Sequence, residues 1–332
     1  MILLNLPDEK PRQLPFYLAM EEWAARSLPP AKYFFTWIVE PTVICGRCQD
    51  VEAEVDLEYC RANGIDVVRR RSGGGTVYAD PSNIMMSLVT DDTDINRTFA
   101  NYTAVVAAQL RAMGIDAHST GRNDVVIGER KISGNAFYHL PGRSIAHGTM
   151  LYDTDPERMA AAITPSRAKL MSKKVLSVAS HITTAREHRP DLTIEEFRRG
   201  LTRGLTDSVI TLTPDQVAAV EVIERRYRDP EWLMGREKSR DKKRVARIEG
   251  VGEFAVYTSL NDRGAIDSVD LRGDFFLTDD LDSALLDKLR GVAPTREALA
   301  RVLATTRVDS VIRALSNDAF IDLIIDTLPQ PA

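Results

Sequence analysis

The chain has few cysteines, no long apolar run and no excess of positive charge. Three cysteines among 332 residues form an odd set that suits a reducing compartment, so we predict a cytoplasmic protein. No apolar run approaches the ~20 residues that span a bilayer, and the segment 1–11 lacks the basic lead of a secretory signal. The 43 Lys and Arg residues against 48 Asp and Glu residues give a net charge of −5. We therefore expect neither nucleic-acid binding nor a membrane partner.

Two of the cysteines, Cys45 and Cys48, have C-x-x-C spacing, whereas Cys60 stands apart. A zinc site would need two further ligands, and histidines occur only from His118 onward. A redox motif would need its first cysteine at the start of a helix that follows a strand. We predict structural thiols and no bound zinc.

The alternation of helix-like and strand-like segments predicts the fold class. Apolar residues at helical spacing indicate helices at 16–27, 56–63, 101–113 and 194–210, and strand-like runs lie between them. Because these elements intermix without regular βαβ repetition, we predict an α+β fold with a mixed, mostly antiparallel sheet and flanking helices. The length allows two domains.

The segment 67–80 combines a strand-like lead, arginines and three consecutive glycines. Glycines let the backbone bend into a concave row of N–H donors, and arginines add bidentate hydrogen bonds, so the segment is typical of an anion site. It matches neither common nucleotide fingerprint, G-x-x-x-x-G-K-[ST] nor G-x-G-x-x-G. A plain tight turn is the alternative interpretation.

Two further stretches have strand character. The first, 121–138, predicts a β-hairpin that turns at Gly128 and Glu129. The second, 145–152, contains His147-Gly148-Thr149.

Together the three stretches resemble the lipoate–protein ligase family, within the larger biotin/lipoate ligase fold. The pieces that carry the resemblance are Arg-Arg-x-Ser-Gly-Gly-Gly-x-Val at 69–77, Gly-Arg-Asn-Asp at 121–124, Arg-Lys-Ile-Ser-Gly-Asn-Ala at 130–136 and His-Gly-Thr at 147–149. Their order and spacing agree with that family. The resemblance implies an enzyme that activates lipoate with ATP to lipoyl-AMP and transfers the lipoyl group to a lysine of a carrier domain.

The resemblance also implies roles for individual residues. Lys131 would be the catalytic residue, contacting both the lipoate carboxylate and the α-phosphate. Asp124 would hold Mg²⁺ on the phosphates, with a turn-capping aspartate as the alternative. An apolar slot for the acyl chain would include Val77 and strand residues such as Met86. The residues expected to bind ATP or lipoate are Arg70, Gly73, Gly74, Gly75, Thr76, Val77, Tyr78, Asn83, Asn123, Asp124, Lys131, His147, Gly148 and Thr149.

The domain organisation follows from composition and resemblance. We predict a catalytic domain at 1–240, a basic linker at 241–249 and a small α+β domain at 250–332, which resembles the family's C-terminal accessory domain and carries Gly-Asp-Phe-Phe at 273–276. In the small domain, helices are expected at 281–289, 295–302 and 309–315. The basic run 236–247 is either a solvated linker or a surface for an acidic carrier. The basic segment 165–177 resembles the family's lysine-bearing loop near the substrate pocket.

The resemblance implies that the partners are the lipoyl domains of 2-oxoacid dehydrogenase E2 subunits, the glycine cleavage H protein, or both, and that the enzyme acts as a monomer whose small domain moves between the two half-reactions. Three other functions compete. An octanoyl or lipoyl transferase of the same fold would need a nucleophilic cysteine, and no cysteine follows position 60. Biotin ligation fits the motifs less well, and a non-enzymatic lipoate- or nucleotide-binding protein would not need Lys131.

Overall fold

The computed structural model describes residues 1–121, 123–163, 181–235 and 243–328. The segment 165–177 therefore lies outside the described residues, as does 236–242 of the basic run. Contacts divide the chain into two compact units: the first comprises Met1–Cys45, Val51–Arg70 and Thr76–Leu233, and the second comprises Gly46–Asp50, Arg71–Gly75 and Met234–Ala332. The segments 46–50 and 71–75 thus group with the C-terminal unit, although both lie within the predicted 1–240 domain.

The first unit is built on an eight-stranded sheet whose order is β11-β1-β2-β6-β10-β9-β8-β7. A smaller sheet has the order β4-β3-β5. The strands, numbered along the chain, are β1 (Ile2–Asn5), β2 (Tyr33–Trp37), β3 (Thr42–Cys45), β4 (Asp66–Arg69), β5 (Val77–Ala79), β6 (Asn83–Thr90), β7 (His118–Ser119), β8 (Asp124–Ile127), β9 (Arg130–Leu140), β10 (Arg143–Leu151) and β11 (Ser208–Thr211). Among the described strands of these sheets, only the pairs β1–β2, β1–β11 and β3–β4 are parallel. The predicted α+β class with a mostly antiparallel sheet is confirmed.

Helices flank the large sheet. The described helices of this unit, numbered along the chain, are α1 (Leu14–Ser27), α2 (Val51–Glu54), α3 (Leu57–Ala62), α4 (Ile95–Ala112), α5 (Pro156–Ala162), α6 (Ala185–His188), α7 (Ile194–Leu205), α8 (Pro214–Tyr227) and α9 (Pro230–Met234), the last residue of which belongs to the second unit. None of the helices in the described ranges is long and apolar enough to cross a lipid bilayer.

The two faces of the large sheet pack against different helices. Side chains alternate between the faces of a strand, so Tyr138 and Phe137 point in opposite directions. Tyr138 belongs to the core that includes α1 residues such as Trp23. Phe137 instead contacts Phe99 of α4, with ring centroids 4.8 Å apart. The face that packs against α1 is called the α1 face below, because it carries most of the candidate site.

The second unit contains an antiparallel meander of β12 (Lys243–Ile248), β13 (Gly252–Leu260) and β14 (Ile266–Gly273). Its helices are α10 (Leu281–Ala284), α11 (Arg296–Leu303) and α12 (Asn317–Ile325). The core includes Phe254 and Phe275, which stack with centroids 4.6 Å apart.

Two predictions need correction, because pairing with a distant strand determines the secondary structure of these segments. The helix predicted at 194–210 ends at Leu205, and Ser208–Thr211 instead forms β11, a parallel partner of β1. Residues 243–248 of the predicted basic linker form β12, paired with β13. Its basic residues Lys243, Arg244 and Arg247 suit an edge strand as well as a linker, so composition alone could not distinguish the two.

The helices of the small unit also differ in part from prediction. At 281–289 a short helix is followed by a 3-10 turn, Leu286–Leu289. The helix predicted at 309–315 is wrong, because only the 3-10 turn Val308–Ser310 forms there and Ala314 adopts a positive φ of 63°. The helix begins later, where the Ser316 side chain accepts a hydrogen bond from the Ala319 N–H group.

Candidate active site

The structure assigns the predicted site residues to both units. The first unit holds Arg70, Thr76, Val77, Tyr78, Asn83, Asn123, Asp124, Lys131, His147, Gly148 and Thr149, and the second holds Gly73, Gly74 and Gly75.

Lys131 and Asp124 meet across the hairpin that the sequence predicted. The hairpin joins β8 and β9, and the Lys131 Nζ atom lies 2.8 Å from Asp124 Oδ1. A bulge leaves Ile132 without a partner on β8, so Lys131 shares a sheet face with Gly134, which pairs with Asp124. The lysine side chain crosses Gly134 so closely that a Cβ atom there would lie 2.5 Å from Cε and 2.7 Å from Nζ. Glycine at this position therefore lets the lysine lie along the strand.

Asn135 stabilises the same hairpin from the opposite face of the sheet. Its backbone N–H and its Nδ2 group both donate to the Asn123 carbonyl oxygen, at 2.9 and 3.0 Å. Its side chain lies over Gly148 of β10, where a Cβ atom would be 1.9 Å from Asn135 Oδ1. Asn123 and Gly148, both predicted site residues, are thus joined through Asn135. The prediction did not include Asn135 as a site residue, although it lies within the quoted motif.

His147 is part of a buried polar network on the α1 face. Its Nδ1 atom lies 3.0 and 2.9 Å from the two carboxylate oxygens of Glu21, which is fully buried in α1. Glu21 also accepts hydrogen bonds from Ser87 Oγ at 2.5 Å and from the Tyr138 hydroxyl at 3.4 Å. Trp37 Nε1 in turn donates to Ser87 Oγ at 3.0 Å.

The prediction did not single out Glu21. A buried glutamate needs a polar partner, and a glutamate among the apolar residues of this helix could have been noticed for that reason. Met86, proposed for the acyl slot, faces away from this network because it pairs with Gly148. Met85 lies on the α1 face and pairs with Thr149 and Trp37.

Arg70 is a buried cation at the start of the glycine segment. Only 5% of its surface is exposed, and its Nη1 group donates to the Ile44 carbonyl at 3.0 Å. Burial lowers the pKa of the guanidinium to about 10, so Arg70 stays charged at neutral pH.

Tyr78, which follows the glycines, and Asn83, on β6, are both buried but have different neighbours. Tyr78 packs its ring in a core with Val43 and Cys60, and burial raises the pKa of its hydroxyl. Its backbone pairs with Val43 in the small sheet, and its role in ligand binding stays a prediction. Asn83 is fully buried, and its Oδ1 atom accepts a hydrogen bond from Thr154. Its Nδ2 group makes no hydrogen bond to the part of the chain that the structure describes. Such a donor is costly to bury unless a ligand or water pairs with it.

The glycine run has distinct requirements at each position. Gly74 has a φ of +87°, and its N–H group donates to the Phe275 carbonyl at 2.9 Å. A Cβ atom at Gly73 would lie 2.4 Å from the same carbonyl oxygen, whereas one at Gly75 would meet nothing within 4 Å. In this structure the Gly74 N–H group is therefore bonded to protein. Gly73 allows close packing of the backbone against Phe275. This role fits the tight-turn interpretation of the glycines better than the anion-site interpretation.

The three cysteines are buried thiols. Burial raises the pKa of the Cys45 thiol to about 11, and it also raises the pKa of Cys60. Cys48 packs in the core of the second unit. Thiols in such surroundings are poor nucleophiles at neutral pH.

Asp124 alone offers a limited metal site. Among the described residues, no group of three or more His, Cys, Asp or Glu side chains could hold a metal ion. Mg²⁺ commonly binds one or two carboxylates and completes its shell with substrate phosphates and water. Asp124 therefore suits Mg²⁺ only together with a bound nucleotide, and the predicted role remains open.

Comparison with known proteins identifies the family. Residues 13–206 match the family model of the lipoyl protein ligase A/B catalytic domain, and residues 240–324 match that of the bacterial lipoate protein ligase C-terminus. The chain is 32% identical over 318 residues to lipoate-protein ligase LplJ of Bacillus subtilis, covering 92% of this chain and 95% of the relative.

Solved structures agree with this match. A bipartite lipoate protein ligase of Thermoplasma acidophilum, studied with its E2 lipoyl domain, is 30% identical, with a TM-score of 0.63 over 72% of this chain and 98% of its own. A lipoate-protein ligase A bound with ATP is 29% identical, with a TM-score of 0.61 over 70% of this chain and 98% of its own. The predicted enzyme class is confirmed, and the chain belongs to the lipoate–protein ligase family.

Proposed function

We propose that this ligase activates lipoate with ATP and transfers the lipoyl group to a lysine of a lipoyl carrier domain. The observation that carries the proposal is the Lys131 ammonium, held 2.8 Å from Asp124 and laid across Gly134 within the Arg-Lys-Ile-Ser-Gly-Asn-Ala segment. A lysine fixed in this way can neutralise two anionic reactants as they approach each other.

The reaction divides into two balanced steps. A lipoate carboxylate oxygen attacks the α-phosphorus of ATP, and the bond to pyrophosphate breaks. The amine of the carrier lysine then attacks the acyl carbon, AMP leaves with the bonding electron pair, and the ammonium proton passes to solvent. Lys131 and buried Arg70 contribute positive charge in the first step.

Mg²⁺ would supply further neutralisation of phosphate charge. Asp124, whose carboxylate lies beside the Lys131 ammonium, would hold it.

Lipoyl domains are the proposed partners. The Thermoplasma relative was studied with its E2 lipoyl domain, which supports an E2 carrier, and the glycine cleavage H protein is the second candidate. The basic run 236–247 is a further hypothesis for a surface that faces an acidic carrier. This hypothesis has less support at Arg244, because its guanidinium lies 3.1 Å from Asp326 within the same unit. Movement of the small domain, a monomeric state and a cytoplasmic location remain predictions.

The test is mass spectrometry of an isolated lipoyl domain incubated with the protein, lipoate, Mg²⁺ and ATP. We expect a lipoyl mass gain that requires both ATP and Lys131. Arg130→Ala is the matched control for Lys131→Ala, because Arg130 is the adjacent cation on β9 and pairs with Glu187 at 2.8 Å.

Two outcomes would contradict the proposal. Transfer from an acylated carrier without ATP would mean that the fold works as a transferase, for which the buried cysteines supply no suitable nucleophile. Equal activity of the Lys131→Ala and Arg130→Ala variants would remove Lys131 from the mechanism.

A further inference from the structure

The backbone of Lys131 is held on both edges of its strand. On one edge Lys131 pairs with Val126 of β8, beside the bulge in the hairpin. On the other edge β9 pairs with β10, but that ladder ends where Ser133 pairs with Met150. Lys131 therefore lies beyond the end of the β10 ladder, and its backbone needs a different partner on this edge.

The chain at 182–183 takes the place of β10 beside Lys131. Ile182 forms an isolated parallel bridge with Lys131, and the Thr183 N–H group donates to the Lys131 carbonyl oxygen at 2.9 Å. This segment thus fixes the backbone from which the lysine side chain extends to Asp124, 2.8 Å from its Nζ atom.

The Thr183 side chain anchors this segment to α6. Thr183 is fully buried, and its hydroxyl lies 2.9 Å from the Nε2 atom of His188. The hydroxyl also hydrogen-bonds to the Glu187 carboxylate. Both partners belong to α6, whose N-cap is the next residue, Thr184, with a hydroxyl that accepts from the Glu187 N–H group at 3.4 Å. A capped helix that also bonds the Thr183 hydroxyl gives the segment a fixed position.

We propose that Thr183 is a positioning residue for Lys131. Its hydroxyl fixes the segment 182–183 against α6, and its N–H group fixes the Lys131 carbonyl. This inference rests on the role of Lys131 in the proposed function. Misplacement of a reacting group by about 1 Å costs about a hundredfold in rate, so partial loosening of this segment should have a smaller but measurable effect.

Thr183→Val tests this role, because valine keeps the branched shape and the backbone N–H group but removes the hydroxyl. We expect kcat for carrier lipoylation to fall about tenfold, while KM for lipoate and for ATP changes less than about twofold. Thr183→Ser keeps the hydroxyl and should hold kcat within about threefold of the wild type. An unchanged kcat in Thr183→Val would overturn the inference.

Thr103→Val is the matched control. Thr103 is also a fully buried threonine of the first unit, but it lies on α4, and its hydroxyl is 2.8 Å from Ser119 Oγ and 3.2 Å from the Phe99 carbonyl oxygen. This variant loses a similar buried hydroxyl and should keep kcat within about twofold of the wild type. If Thr183→Val does not fold, His188→Ala removes one partner of the Thr183 hydroxyl and should lower kcat about threefold with KM unchanged.

A double-mutant cycle with Lys131→Ala separates positioning from general destabilisation. If Thr183 acts through Lys131, Thr183→Val should slow single-turnover transfer about tenfold in the wild type but less than about twofold in Lys131→Ala. Equal effects in both backgrounds would overturn the inference, because they would give Thr183 a structural role that is independent of the lysine.

Hydrogen exchange followed by mass spectrometry tests the same geometry without turnover. Thr183→Val should speed exchange in peptides that cover 130–136 and 182–184, and Thr103→Val should not. Absence of ATP-dependent transfer in the wild type would overturn the proposed function, while the exchange result would still test the link between Thr183 and the strand. Unchanged exchange in both peptides of Thr183→Val would overturn the inference alone.

Discussion

The side chain of Lys131 lies directly over Gly134, so that a Cβ atom at position 134 would be 2.7 Å from the lysine Nζ atom. Gly134→Ala should therefore displace the lysine without breaking the strand, since the group in the way is the far end of a flexible side chain. A shift of this size costs about a hundredfold in rate when it misplaces a catalytic group. We expect a fall in kcat of about this size in the carrier-lipoylation assay, with a melting temperature close to that of the wild type. A large fall in melting temperature would assign Gly134 a purely structural role.

Gly148→Ala should act differently, because its obstacles do not move freely. The added Cβ atom would overlap Asn135 Oδ1, and it would also lie 2.9 Å from the Gly134 carbonyl oxygen. Overpacking of this kind typically costs about 1–3 kcal/mol, so the melting temperature of the first unit should fall. Calorimetry would measure this change, and a melting curve like that of the wild type would contradict the geometry.

The glycine run allows a matched pair of substitutions. In Gly73→Ala the Cβ atom would lie 2.4 Å from the Phe275 carbonyl oxygen and 3.0 Å from the Leu277 nitrogen, both backbone atoms. In Gly75→Ala it would meet nothing within 4 Å. We expect a loss of about 1–3 kcal/mol in the free energy of unfolding for Gly73→Ala and little change for Gly75→Ala. Chemical denaturation followed by fluorescence checks both, and equal losses would argue against the close packing at Gly73.

Cys45 should resist modification at neutral pH. Burial raises the pKa of its thiol from 9.0 to about 11, so roughly one thiol in a few thousand is ionised at pH 7.5. Iodoacetamide followed by peptide mass spectrometry should label Cys45 in denaturant but not in the native protein. Rapid labelling of the native protein, with loss of carrier lipoylation, would revive the transferase alternative.

The raised pKa of the Cys45 thiol also predicts how the stability of the fold changes with pH. The folded state holds the Cys45 proton more tightly than the unfolded state does, so this group stabilises the fold fully below the unfolded pKa. Its contribution falls as pH rises from about 9 toward the folded pKa of about 11. Cys45→Ala should therefore show a shallower loss of melting temperature than the wild type between pH 9 and 11. Parallel curves for the two proteins would contradict this account.

Much of the fold was predictable because it depends on local pattern. The hairpin around Gly128 and the helices α1, α3, α4 and α7 follow from periodicity and turn chemistry, with ends displaced by up to six residues. The prediction did not include the other helices of the first unit, the longest of which is α8. The strand Ser208–Thr211 was not predictable, because all four of its residues are exposed and only pairing with β1 defines it. The glycines at positions 73 and 134 stood out in the sequence, but the neighbours that require them did not. Gly73 packs against Phe275, which is distant in sequence, and Gly134 lies under Lys131, on the other side of a bulge.

The amino-acid sequence by itself determined the family, the α+β class and the lysine on which the proposed chemistry depends, since motifs, periodicity and charge are local properties of the chain. The tertiary structure alone decided which side chains act together. It placed Glu21 against His147, a residue 126 positions away, and it bonded the Gly74 N–H group to Phe275. The physical reason is that the pairing of a buried charge or a backbone donor depends on which strands and helices pack against each other, and no local pattern encodes that choice.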